Sequence, residues 1–211
     1  CSAMAMHYLG NTIDIHTGGT DHIPVHHTNE IAQSEAATNQ PFANFWLHSN
    51  HLLSDGTKLS KSLGNSYTLD DIMSRGFTPM DFRMFCLQSH YRTETNFSWD
   101  NLTAAKNRLH RWQQIACLRW QINDTLSDDD SKDEQHDVNG IILAAPHAAL
   151  EALQNDLGTP QALVAIEQAF DAIELSPLQH IQRHALVQLI ESIDELLGLR
   201  LMQATPDIDD E

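Results

Sequence analysis

Hydrophobic and polar positions follow two different grammars along the chain. Residues 2–9 (SAMAMHYL) are rich in helix formers and stop at Gly10, a natural C-terminal cap. Ile13-Asp14-Ile15-His16 reads as a short strand running into Thr17-Gly18-Gly19, where glycine permits a tight turn. Residues 26–38 (HHTNEIAQSEAAT) predict a helix, and the aromatic, apolar run 42–53 (FANFWLHSNHLL) predicts a strand ended by Ser54-Asp55-Gly56. Strand, glycine turn, helix, strand is the order of an α/β parallel sheet.

After Thr68 the pattern is helical alone. Thr68 and Asp71 form a capping signal, and Gly76 closes that helix. A mostly apolar helix is predicted over Asp81–Tyr91. In 102–120, Leu102, Ala105, Leu109, Trp112 and Ala116 fall at spacings of 3, 4, 3 and 4, one stripe facing a core. Residues 123–139 are polar and acidic, as in an exposed linker. Three helices follow, over 146–157, 160–174 and 177–197, begun by prolines and ended by Gly158 and Gly198 where those residues fit the usual asymmetry. Trp46 is expected in the core, and Trp99, Trp112 and Trp120 in helix packing.

Composition narrows the class. The 211 residues are 41% hydrophobic and 19% charged, as in a globular protein. No apolar run approaches the roughly 18 residues of a membrane span, and no basic-then-apolar leader is visible. Three cysteines far apart (Cys1, Cys86, Cys117) make no disulfide framework, so a reducing cytoplasm is expected. Cys86 and Cys117 sit in apolar helical stretches and read as buried thiols. The formal charge of −17 argues against a nucleic-acid partner until it is divided by position. Residues 1–57 carry −5 with no Lys or Arg, 58–119 carry +4, and 120–211 carry −16. Arg92, Lys106, Arg108 and Arg111 give the middle zone a positive face suited to RNA phosphates.

Chemistry concentrates in three places. Lys58-Leu59-Ser60-Lys61-Ser62-Leu63-Gly64-Asn65 sets two lysines three apart, with one hydroxyl between them and glycine after. Such a loop can bring two ammonium groups onto a polyphosphate, where they stabilise charge that grows in the transition state. His26 and Glu30, four apart on a helix, share one face and can reach one ion, and Cys1 offers a thiolate. Spacing alone leaves His27 with Glu30 equally able. Gly18-Gly19-Thr20-Asp21 follows a strand, so backbone can approach a nucleotide while a carboxylate accepts from ribose hydroxyls. His16, His48 and His90 could line a site or simply pack.

The lysine string closely resembles the KMSKS signature of class I aminoacyl-tRNA synthetases, with Leu59 in place of Met. Cys1-Ser2-Ala3-Met4, Asp14-Ile15-His16-Thr17-Gly18-Gly19-Thr20-Asp21 and His26-His27-Thr28-Asn29-Glu30-Ile31-Ala32-Gln33-Ser34 are similar to stretches of the cysteinyl-tRNA synthetase family. Trp46-Leu47-His48 and Ser89-His90-Tyr91-Arg92 continue the match in order. It is strong over roughly 1–122; beyond that it rests on a run of helices. Val25 and Thr28 depart from the family's commoner residues, and Pro24 stands one place early.

The resemblance implies α/β plus all-α architecture, the C-terminal half of a Rossmann-type catalytic domain followed by helical stem-contact and anticodon-binding bundles. It divides the chain into 1–66 (catalytic), 67–122 (stem contact), 123–140 (linker), 141–203 (anticodon-binding) and 204–211 (a disordered tail). It implies ATP-dependent ligation of L-cysteine to tRNA(Cys) through cysteinyl-adenylate, in a cytoplasmic monomer. Lys58, Ser60, Lys61 and Ser62 would be catalytic, Gly19, Asp21 and Lys61 would hold ATP with Mg²⁺, and Cys1, His26 and Glu30 would hold Zn²⁺. A fourth zinc ligand and the HIGH motif would lie upstream of Cys1, so the chain reads as a fragment that is inactive alone. His7-Tyr8-Leu9-Gly10 is no substitute, because it precedes the strand. The alternatives are a mycothiol-pathway cysteine ligase and a non-catalytic zinc- or tRNA-binding piece.

Overall fold

A computed structural model describes residues 2–54, 56–58, 67–121, 126–127 and 137–206, with backbone alone at 57, 58 and 137. The linker core and the last five residues, expected to be unstructured, lie outside the described residues. Two compact units emerge: Cys1–Ser66 with Tyr91–Phe97, and Tyr67–His90 with Ser98–Glu211.

In the first unit, α1 (Ser2–Leu9) ends where expected, with Gly10 at φ +91° and its N–H donating to the Met6 carbonyl at 3.1 Å. β1 (Ile13–Gly19) runs through the glycines instead of stopping before them. A 3₁₀ turn (Thr20–His22) and a π-helical turn (Ile23–His27) then lead into α2 (Thr28–Thr38). His26 and His27 therefore belong to the π turn, not to α2 as expected. The displaced Pro24 and the unusual Thr28 both serve this turn: Pro24 occupies its first part, and Thr28 Oγ1 donates to the Ile23 carbonyl at 2.8 Å.

α2 ends on left-handed Asn39, and β2 (Ala43–Ser49) returns parallel to β1. The register sets Ile15 beside Phe45, His16 beside Trp46 and Gly18 beside His48. The strand predicted over 42–53 is in fact two. β3 (Leu52–Ser54) joins a separate sheet of order β4-β3-β5, with β4 (Thr57–Lys58) antiparallel and β5 (Thr95–Phe97) parallel to it. Asn50 makes the break. Its N–H donates to the Tyr91 carbonyl (2.7 Å), its Nδ2 to the Arg92 carbonyl (3.2 Å), and its Oδ1 accepts from the His51 N–H (2.9 Å). Polar pairing across the chain thus interrupts an apolar run that sequence pattern alone reads as continuous.

In the second unit, α3 (Leu69–Ser74) and α4 (Pro79–Leu87) both open on capping boxes, Thr68 with Asp71 and Thr78 with Asp81. The second box starts α4 at Thr78-Pro79, earlier than its hydrophobic pattern suggests. α5 (Trp99–Cys117) buries all five residues of the predicted stripe, none more than 1% exposed. α6 (Asp137–Gln154) runs straight through Pro146, where sequence signals place a start. Proline there removes the donor to the Ile142 carbonyl and crowds that carbonyl with its ring, a cost opposed by the burial of Ile142, Ala145 and Ala149 in the core. α7 (Thr159–Glu174) matches its prediction. α8 (Arg183–Leu197) begins six residues after the predicted Pro177, because Asn139 Oδ1 accepts from the Gln182 N–H (2.9 Å) while Ser127 and Ile181 pair (2.7 Å). Trp112 and Phe170, both fully buried with ring centroids 5.0 Å apart, join α5 to α7. No described helix is long and apolar enough to cross a membrane.

Candidate active site and its histidine cluster

In parallel α/β sheets, ligands bind beyond the carboxyl ends of the strands. Gly19 ends β1, and Asp21 follows it in the 3₁₀ turn. The Asp21 carboxylate folds back over Gly19 so closely that a Cβ there would stand 2.4 Å from Oδ1. Asp21 Oδ1 also lies 3.7 Å from His51 Nε2. The two residues selected for a nucleotide are therefore one local unit at the strand end.

Glu30 lies in the first turn of α2 and is 7% exposed, so its carboxylate needs partners to be tolerated there. His16 Nε2, from β1, forms a hydrogen bond with Oε2 at 2.7 Å. His26 Nε2, from the π turn, stands 3.6 Å from Oε1. That second gap leaves room for an ion bound to both at the usual zinc distances of about 2.0–2.2 Å. The donor set, an imidazole nitrogen and a carboxylate oxygen, suits Zn²⁺. His16, His27 and Glu30 form a second grouping, with ligand atoms all within 4.8 Å of one another.

His27 is buried at 3% exposure, and its Nδ1 is 2.8 Å from His48 Nε2. Burial, then the neighbouring His16 and His48, lowers its pKa and favours the neutral imidazole. Its ring rests against the backbone of Gly18, where a Cβ would come within 2.5 Å of Cε1. Trp46 forms the opposite wall, edge-on to His16 (4.7 Å) and stacked with His48 at an interplanar angle of 6°. Trp46 is half-buried, a site wall and not the core residue expected. Beside it, a cavity of about 340 Å³ is lined by Thr20, Ile23, Trp46, His48, Tyr91 and Arg92.

Of the sequence-selected residues, the fold thus brings His26 to Glu30, and Gly19 to Asp21. Cys1, Ser60, Lys61 and Ser62 lie outside the described residues, and Lys58 is the last residue of β4, described by its backbone alone. Sequence spacing missed the contact of His16 with Glu30, residues 14 apart. No local spacing signals it, because it depends on the parallel register, which sets His16, Trp46 and His48 on one face of the sheet.

Of the four residues inferred to form a positive face, Arg92 and Lys106 are exposed, while the part-buried Arg108 and Arg111 are paired with carboxylates. Arg108 Nε donates to Glu167 at 2.6 Å, and Arg111 is shared by Glu167, Asp171 and Glu174 of α7. Its hydrogen bond to Glu174, above all, holds the Arg111 pKa above the usual arginine value. Lys106 donates to the Gly76 carbonyl at 2.9 Å. Carboxylates of α7 thus neutralise Arg108 and Arg111 of the basic middle. Cys117 is buried as expected, but Cys86 is exposed on α4, since the α4 core face is carried by Met84 and Phe85.

The sequence and the sheet-plus-helix architecture match a known class. The chain belongs to the family described as tRNA synthetases class I (C) catalytic domain, whose model matches residues 1–107. Among curated relatives, the cysteine--tRNA ligase of Chlamydia caviae is 40% identical over 214 residues, covering 100% of this chain and 44% of its own length. That of Chlamydia felis is 38% identical over 215 residues with the same coverage, and that of Protochlamydia amoebophila 38% over 206 residues, 94% of this chain and 41% of the relative. The chain spans less than half the length of these relatives. In fold it is similar to the LeuRS of Agrobacterium radiobacter K84, solved as a ternary complex with tRNA and LeuAMS. The TM-score is 0.69 at 15% identity, over 90% of this chain and 27% of that one. The fold is therefore that of class I tRNA synthetases.

Proposed function

We propose that the chain is part of a cysteine--tRNA ligase, which joins L-cysteine to tRNA(Cys) in two steps. The cysteine carboxylate attacks the α-phosphorus of ATP, giving cysteinyl-adenylate and pyrophosphate; a terminal tRNA hydroxyl then takes the cysteinyl group. The observation that carries this reading is the identity of 38–40% to curated cysteine--tRNA ligases along the whole chain. The buried Glu30 of α2, held between His16 of β1 and His26 of the π turn, supports it.

In this reading His26 and Glu30, with Cys1, hold Zn²⁺, and His16 orients the carboxylate as an outer-shell partner. Zinc there would bind the substrate thiolate and reject the poorly ligating serine hydroxyl, a distinction that an apolar pocket makes by only about 1–3 kcal/mol. Gly19 and Asp21 take the ATP ribose. Lys58 and Lys61, flanked by Ser60 and Ser62, place cations on the phosphates alongside Mg²⁺, where charge builds in the transition state. Residues 67–122 would contact the tRNA stem and 141–203 the anticodon, in a cytoplasmic monomer. In a polypeptide carrying the whole catalytic domain, Lys61→Ala is expected to collapse cysteine-dependent ATP–pyrophosphate exchange while zinc content stays normal. Unchanged exchange would remove the assigned role.

A further inference from the structure

The fold sets Tyr91–Phe97, part of the 67–122 stretch expected to contact the tRNA stem, into the same compact unit as the candidate site. Asn50 holds the start of that segment by its main chain, donating from N–H to the Tyr91 carbonyl and from Nδ2 to the Arg92 carbonyl. Tyr91 and Arg92 then line the cavity of about 340 Å³, to which the proposed reaction assigns nothing. Thr20 and Ile23, from the turns after β1, and Trp46 and His48 of β2 complete its lining. Arg92 Nε donates to the Tyr91 hydroxyl at 2.9 Å, with the guanidinium carbon 5.5 Å from the centre of that ring. Among the described side chains of this unit Arg92 is the one lysine or arginine, against the carboxylates of Asp14, Asp21, Glu30, Glu35 and Glu94. An anion entering the cavity meets that guanidinium.

We propose that this cavity seats the 3′-terminal nucleotide of the tRNA, with its phosphate on Arg92 and its base against the aromatic walls. The inference rests on the ligation of cysteine to tRNA proposed above and adds a subsite to it. A planar guanidinium matches two phosphate oxygens at once. Trp46 and Tyr91 supply aromatic surface, and stacking on such surface serves any base. The volume falls within the roughly 300–1,000 Å³ of small-ligand pockets. ATP carries the same chemistry, a base and phosphates, and two observations favour the RNA end over it. Gly19 and Asp21, the candidates for the ATP ribose at the end of β1, are not among the lining residues. Two of the lining residues, Tyr91 and Arg92, belong to the stretch read as following the tRNA stem, and it is there that this stretch enters the catalytic unit.

The test separates the two nucleotides in a full-length ligase carrying these residues. Arg92→Gln is expected to weaken tRNA binding about tenfold, as for loss of one charge-assisted contact, and to change the KM for ATP in pyrophosphate exchange by much less. The plot of log affinity for tRNA against log salt should become shallower by about 0.7, the share of one single-stranded phosphate. Arg92→Lys should recover that slope. Removing the 3′-terminal nucleotide with its phosphate from the tRNA should have the same effects on the parent protein, whether or not the variants fold. On the shortened tRNA, Arg92→Gln should add nothing further, because the two changes remove one contact. A KM for ATP that rises as much as tRNA binding falls would assign the cavity to ATP and overturn the proposal. Full additivity of Arg92→Gln with the shortened tRNA would overturn it as well. A parent that binds tRNA but is indifferent to the missing nucleotide overturns the subsite alone. A parent that binds no tRNA overturns the proposed function and the subsite with it.

Discussion

Glu30 divides its carboxylate between two histidines, with Oε2 2.7 Å from His16 Nε2 and Oε1 3.6 Å from His26 Nε2. The short contact is a hydrogen bond and the long one leaves space for an ion, so the two histidines should fail differently. In the complete catalytic domain, His26→Ala is expected to abolish stoichiometric zinc. His16→Ala should retain zinc with affinity lower by about 10–100-fold, the usual cost of losing an outer-shell partner. Competition against a chelator measures both, and equal affinities in the two variants would refute this division of roles.

Gly18 has to lack a side chain because the His27 ring occupies the space. A Cβ at 2.5 Å from Cε1 forces either the ring or the strand to move. Gly18→Ala should therefore cost about 1–3 kcal/mol, the range for overpacking a filled site. Urea unfolding followed by Trp46 fluorescence, in a background without the other tryptophans, would report it. A stability unchanged within error would mean that the ring moves aside freely.

Trp112 lies fully buried against Phe170 between α5 and α7. Trp112→Ala removes the largest core side chain of the helical unit and should cost about 3–5 kcal/mol. Calorimetry should register this as a lowered unfolding midpoint; a shift of a degree or less would contradict the packing.

Asp71 reports acid sensitivity. Hydrogen bonds from the Thr68 backbone N–H and then its hydroxyl lower the Asp71 pKa in the folded state. A folded pKa below the unfolded value of about 3.9 means stabilisation that is complete above that value. It is lost as pH falls through the folded value. Asp71→Asn should flatten the fall in stability below pH ~4 relative to the parent. Parallel curves over that range would show that the cap does not titrate with folding.

The carboxylates of α7 converge on Arg111. Arg111→Ala should cost about 1 kcal/mol at low salt, as part of a network and not a single surface pair, and less at 1 M salt where screening is short-ranged. Chemical denaturation at the two salt concentrations distinguishes this from a packing loss, which would not depend on salt.

Several elements were legible from local chemistry because their causes are local. α1 with its Gly10 stop, the Thr68–Asp71 cap, and the α5 stripe each depend on residues within a turn or two. The nearness of His26 to Glu30 was legible only as one of two choices, since spacing left His27 equally able, and most of the lysine string lies outside the described residues. Errors arose wherever distant segments intervened. The apolar run 42–53 was split by Asn50 pairing with Tyr91 and Arg92. Pro146 was absorbed by the packing of α6, and α8 was shortened when Asn139 and Ser127 captured the backbone at 181–183.

Charge shows the division most clearly. The sequence by itself determined a lysine-free, histidine-rich start, a basic middle and an acidic end, together with the motifs that place the chain in its family. It also determined the strand–helix–strand order, since hydrophobic period and glycine turns act over short range. Only the tertiary structure decided that α7 carboxylates would neutralise Arg108 and Arg111, and that His16 would hold Glu30. It alone brought Tyr91 and Arg92 beside Trp46 and His48. Those outcomes depend on parallel register and on helices meeting across tens of residues, and no local spacing encodes such meetings.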